Sequence, residues 1–162
     1  MFLYARVWWD DAGHENGEST RALAFSSDGG VTFTDGNVDA FPGNPGTDTQ
    51  GAMVYSGGQF FVGSPWGVHH FPRQNYTVLV SDAVDGRPSS WRPLAGADPL
   101  WAGASEYSTL MPGAGGTIWA VYERSETLAS QNGNEVLRIA QLRPKSDRSG
   151  RLNPAHINDS IL

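Results

Sequence analysis

The sequence predicts an all-β protein of antiparallel, four-stranded units stacked as the blades of an incomplete β-propeller, about three in number. Three observations carry this. Short aromatic and β-branched runs recur at a fixed spacing, Gly-Gly pairs join several of them, and no segment has the 3.6-residue apolar period of a helix. The chain has 20 glycines and 10 prolines in 162 residues, close to a fifth of the total where about 12% is usual. No collagen-like period accompanies them, so many tight turns between short strands account for the excess.

The strands fall in order. "FLYAR" (2–6), "QFFVGS" (59–64) and "TIWAVYE" (117–123) are three copies of one strand. Each is followed by a polar loop and a second strand, "RALAFSS" (21–27), "NYTVLVS" (75–81) and "EVLRIAQL" (135–142). The second and third copies are also preceded by a strand, "GAMVYSGG" (51–58) and "STLMPGAGG" (108–116), whose glycine pairs predict hairpin turns. Repeats of this length and content suggest propeller blades. A single β-sandwich is the competing architecture, and the common register of the three strand sets favours blades. Residues 1–143 are expected to form the blades and 144–162 a C-terminal tail. Met1 falls where a blade's second strand would begin, so the chain is expected to be the C-terminal part of a longer protein. Incomplete closure would leave sheet edges through which copies could associate.

Bulk composition excludes several functions. The net charge is −6 and the 11 basic residues are scattered, which argues against a nucleic-acid surface. There is no cysteine, hence no disulfide or thiolate metal site. The N-terminus "MFLYARVWWDD" lacks the basic start of a signal peptide, and no apolar run reaches the ~20 residues of a membrane span. His69 and His70 are adjacent and would point oppositely in an extended segment, so no metal or other cofactor is expected. His14 and His156 read as loop residues.

"SSDGGVTF" (26–33) supplies Ser26, Asp28, Gly30, Thr32 and Phe33 in the pattern S-x-D-x-G-x-T-[WF]. Such a turn is self-bonded: the carboxylate accepts backbone N–H groups, glycine allows positive φ, and the aromatic is expected to pack beneath. "SDAVDGRPSSW" (81–91) is a degenerate echo, and "PKSDRSG" (144–150) has lost almost all of it. The turn resembles the Asp-box of sialidases, a family of six-bladed propellers, where it is structural and lies away from the catalytic face. Other Asp-box propellers carry it without that activity.

The resemblance to sialidases extends over essentially the whole chain. Those enzymes carry "YS" and then a hairpin ending in "YE", which here are Tyr107-Ser108 and Tyr122-Glu123. The resemblance implies that Tyr107 is the nucleophile, that Glu123 supports an arginine of the pocket, and that Arg21 and Arg73 bind the carboxylate of sialic acid. Guanidinium forks suit that task because they are planar, bidentate and permanently charged. A neutral phenol suits the other, since an attacking carboxylate would be repelled by the substrate's own carboxylate. Gln50 is a further candidate lining residue, and Arg6 a weaker one.

The family also uses an aspartate acid/base, a third arginine and a glutamate that activates the tyrosine, and no residue here matches those positions. Glu106 is not expected to replace that glutamate, because neighbours in a strand point to opposite sides. The expected function is therefore an exo-α-sialidase or a C-terminal fragment of one, inactive by itself, acting on sialylated glycans. The alternative is a non-catalytic Asp-box module binding glycan or protein. A glucan-cleaving hydrolase would need paired carboxylates, and none occupy matching repeat positions. Secretion is expected only from the resemblance.

Overall fold

A computed structural model describes residues 2–8, 19–34, 41, 49–66, 73–84, 87–88, 90–94, 99–125, 136–146 and 152–161; β1 apart from Tyr4, residues 19–20, 84 and 87, and everything beyond 142 are described as backbone alone. The fold is all-β, with antiparallel pairing throughout and no α-helix among the described residues.

The strands form three sheets in chain order. The first pairs β1 (Phe2–Trp8) with β2 (Ser19–Phe25). The second contains β3 (Ala52–Ser56), β4 (Gln59–Pro65) and β5 (Gln74–Val84), with the short strands β6 (Arg87–Pro88), β7 (Arg92–Pro93) and β8 (Trp101–Ala104) pairing β5. The third has the order β12-β11-β10-β9, from β9 (Ser108–Pro112), β10 (Ile118–Arg124), β11 (Val136–Ser146) and β12 (Leu152–Ile161). The strands fall where the repeated runs predict them. The segment expected as a tail differs: residues 152–161 pair with β11 along most of its length. That strand has few of the apolar, β-branched residues that mark the others, and the partner edge specifies it instead. Among the described residues no sheet closes on itself.

Hairpin chemistry sets the register. Ser56 pairs Gln59, so Gly57 and Gly58 form a two-residue loop with φ of 58° and 82°. Positive φ at both positions is what the tight turn matching strand twist requires, and glycine adopts it without steric cost. Between β9 and β10 a 3₁₀ turn at Ala114–Gly116 does the same work.

The middle sheet is buried on both faces, and every residue of β4 is buried. Phe61, Tyr76, Val78 and Val80 join Leu110, Ile118, Ala120, Tyr122, Ala140 and Leu142 in one cluster against the third sheet. Val62 and Leu79, which point the other way by strand alternation, join Leu23 and Phe41 against the first. Tyr76 and Tyr122 stack across the former interface, with ring centroids 4.5 Å apart and planes 10° from parallel. Gly63 is required there, because a Cβ would lie 2.5 Å from the Tyr76 hydroxyl and 3.2 Å from Leu110. The sheets thus lie face to face in sequence order.

The turn after β2 bonds to itself as its pattern predicts. Ser26 donates to Asp28 (2.7 Å) and accepts from Gly30 N (2.7 Å), while Asp28 accepts from Val31 N (3.1 Å), Thr32 N (2.9 Å) and the Thr32 hydroxyl (2.6 Å). Gly29 and Gly30 take φ of 79° and 98°. Phe33 does not pack beneath the turn as expected but is 39% exposed. Thr34 N returns to Phe25 O at the end of the strand, Phe25 N donates to the Thr34 hydroxyl, and residues 31–34 are exposed. In the echo, Ser90 N donates to the Ser81 hydroxyl, a remnant of the same device.

The hydrogen bonds to Asp28, those from Thr32 foremost, hold its carboxyl well below the usual carboxylate range. A depressed folded value means that the stabilisation is complete above the unfolded pKa of about 3.9 and fades as pH falls below it. Asp28→Asn should therefore lower the melting temperature at pH 7, and the gap from the parent should hold to about pH 4 and close only in stronger acid. A gap that closes already near pH 6 would contradict this origin.

Candidate functional site

One end of the stacked sheets collects the chemistry. β3 and β9 start there and run to the glycine turns at the far end, where Gly57 lies against Gly116. Arg21 is the third residue of β2, so the turn at Ser26 is five residues further along, about 16 Å away at ~3.3 Å per residue. The segments leading into β3 and β9 carry Thr49, Gln50 and Gly51, and Ser105, Glu106 and Tyr107.

Arg21 is 1% exposed. Its Nη2 donates to the carbonyl of Thr49 and, at 2.9 Å, to the Ser64 hydroxyl. Its guanidinium lies 5.6 Å over the ring of Tyr4. The pairing explains the neighbour: Arg21 faces Arg6 across β1–β2, and Tyr4, two residues from Arg6, shares its face. Burial pushes the Tyr4 phenol above its ordinary pKa, with Arg21 and Ser64 acting against the shift, so this phenol is neutral at pH 7. Gly51 has no room for a side chain: a Cβ would lie 2.6 Å from the Tyr4 hydroxyl and 2.8 Å from Gly63 O.

Tyr4, Arg21, Gln50, Gly51 and Tyr107 line a cleft of about 380 Å³. Tyr107 is 47% exposed and its main chain is clamped: Tyr107 N donates to Glu123 Oε2 at 3.2 Å, and Glu123 N donates to Tyr107 O at 3.0 Å. Glu123 thus spends its carboxylate on the Tyr107 backbone, and among the described residues it meets no arginine.

Arg73 lies next to Tyr107 but outside the lining. Its guanidinium is 6.0 Å over the Tyr107 ring, and Nη1 donates to Glu106 Oε2 at 2.8 Å, with the two side chains only 13% and 14% exposed. Ser105 N holds the Arg73 carbonyl at 3.0 Å, and the Thr49 hydroxyl holds the Glu106 carbonyl at 2.9 Å. Strand alternation does not govern Glu106, because residues 105–107 precede β9 and lie in no strand. Its carboxylate reaches back to Arg73.

The structure therefore brings Tyr107, Arg21 and Gln50 to one cleft, sets Arg73 behind the Tyr107 ring, and uses Glu123 to hold that tyrosine. Arg6, His69, His70, His14 and His156 have no described side chains. Tyr4, Thr49, Gly51, Ser64 and Glu106 were not singled out by sequence reasoning as site residues. Only Tyr4 left a signal, the two-residue spacing that puts it on the face of Arg21. Among the described residues no cluster of three or more His, Asp or Glu side chains could hold a metal ion, and no helix is long and apolar enough to cross a membrane.

Chemically, the described lining offers a permanent cation, two phenols and an amide, and no carboxylate among those described residues. Such a set suits a small polyhydroxylated anion, with the guanidinium for its negative charge and the neutral groups for its hydroxyls. The chain matches no family model, no curated protein and no solved structure.

The tight contact at Gly51 can be checked directly. Gly51→Ala should destabilise the fold by about 1–3 kcal/mol through overpacking. Tyr4→Phe removes the nearest atom, so the double variant should recover about 1 kcal/mol in a urea-denaturation cycle. Additive losses would contradict the contact.

Proposed function

We propose that the chain forms part of the substrate site of a retaining exo-α-sialidase, with its three face-to-face sheets as blades of an incomplete propeller and the 26–33 turn as an Asp-box. The observation that carries this is the presence of a buried guanidinium, Arg21, and an exposed phenol, Tyr107, on one cleft of about 380 Å³, a size suited to a single sugar ring.

On this reading Arg21 holds the carboxylate of sialic acid, Gln50 meets a ring substituent, and Tyr107 Oη attacks the anomeric carbon. The aglycone leaves and water later cleaves the tyrosyl–sugar bond, the double displacement of retaining glycosidases in which sialidases use tyrosine. Glu123 contributes by fixing the Tyr107 main chain, so that the phenol is presented without an entropy cost at the moment of attack. Tyrosine ionises near pH 10 in water, so attack at neutral pH needs a base, and departure of the aglycone needs an acid. Among the described residues no cleft side chain supplies either, and each missing group typically lowers the rate by about 10²–10⁴. The 162 residues alone are expected to bind sialic acid without turning over a sialoside.

The buried guanidinium of the cleft also fits a second reading, a non-catalytic module that binds acidic glycans without cleaving them. One experiment separates the two. The chain is expressed alone and together with any coding sequence upstream of Met1, and both are assayed on a fluorogenic α-sialoside. The enzyme reading expects turnover only in the longer product, with Tyr107→Phe lowering kcat by about 10³ or more. Binding without turnover in both favours the module; full activity in Tyr107→Phe removes Tyr107 from the chemistry.

A further inference from the structure

The Arg73–Glu106 pair bears on what the cleft selects. If the cleft takes an acidic sugar, two guanidinium groups of the described residues stand near it, and of these Arg21 lines it and Arg73 does not. Arg73 is held behind the Tyr107 ring by a carboxylate 2.8 Å away, in surroundings where both side chains are largely shielded from water. The Glu106 main chain is itself fixed by the Thr49 hydroxyl, in the segment that also supplies Gln50 and Gly51. Glu106 thus occupies Arg73 as a ligand carboxylate would.

Resting on the acidic-sugar reading, we infer that Glu106 is a specificity-determining residue: it holds Arg73 out of the cleft, and an acidic ligand gains this second guanidinium only by displacing it. Two effects oppose the ligand. The existing charge-assisted hydrogen bond has to be exchanged for a new one, and the displaced Glu106 carboxylate remains near a ligand of like charge, which disfavours acidic ligands specifically. A neutral ligand of the same shape feels neither.

The test is a titration of the 162-residue chain with N-acetylneuraminate and with its methyl ester, which differ only at the carboxyl group, charged in the acid and neutral with one added methyl in the ester. Glu106→Gln should tighten binding of the acid about tenfold and leave the ester unchanged, and adding Arg73→Gln should abolish the gain. A role confined to folding would move both ligands together. Circular dichroism melting checks that each variant folds. Should Glu106→Gln fail to fold, Glu106→Asp, too short to keep the 2.8 Å contact, should raise the acid-to-ester ratio in the same direction. An unchanged ratio in a folded variant, with binding still lost in Arg21→Ala, overturns this inference and leaves the proposed site standing. No binding of the acid by the parent or any variant overturns the site itself, and the inference with it.

Discussion

A buried guanidinium ties the sheets together where their strands begin. Arg21 is permanently charged and almost wholly removed from water, so its donors need fixed acceptors. They find the Thr49 carbonyl ahead of β3 and the Ser64 hydroxyl on β4, linking the first sheet to the second. The Thr49 hydroxyl then reaches the Glu106 carbonyl ahead of β9, linking the second to the third. Glu106 continues to Arg73 at the entrance of β5. These polar links cross all three sheets at one end, and the cleft is the space above them.

Apolar burial makes that convergence possible. Because β4 and β5 are covered on both faces, the middle sheet can sit only between two others, and its strand entrances are carried into line with theirs. Gly63 and the Tyr76–Tyr122 stack leave little freedom in how the second and third sheets approach. The far end is given to tight turns, including the self-bonded one around Asp28. Segments entering the strands are thereby free to carry polar side chains on a rigid base, an arrangement in which function commonly sits.

Much of this was legible in the sequence, for identifiable reasons. Strands buried on two faces read as aromatic and β-branched runs, so their positions could be set from residue types alone. The 26–33 turn is specified by side chains that bond within it. Tyr107, Arg21 and Gln50 share a cleft because equivalent points of repeated units face the same end. What escaped depends on contacts between segments far apart in sequence or on irregular backbone. Strand alternation does not hold at Glu106, because residues 105–107 form no strand. Arg73 follows the register of Arg21, yet Glu106 draws it behind Tyr107. Gly51 is explained only by the Tyr4 hydroxyl and the Gly63 carbonyl beside it, and β12 only by the edge of β11.

The convergence of these strand entrances on one ligand site is tested most directly by mapping amide chemical shifts of the chain as N-acetylneuraminate is added. The account predicts that the largest shifts fall at residues 49–51, 63–64, 105–108 and 123, around one cleft. Shifts concentrated at the 26–32 turn or at the glycine turns around 57 and 115, with those amides unmoved, would contradict it.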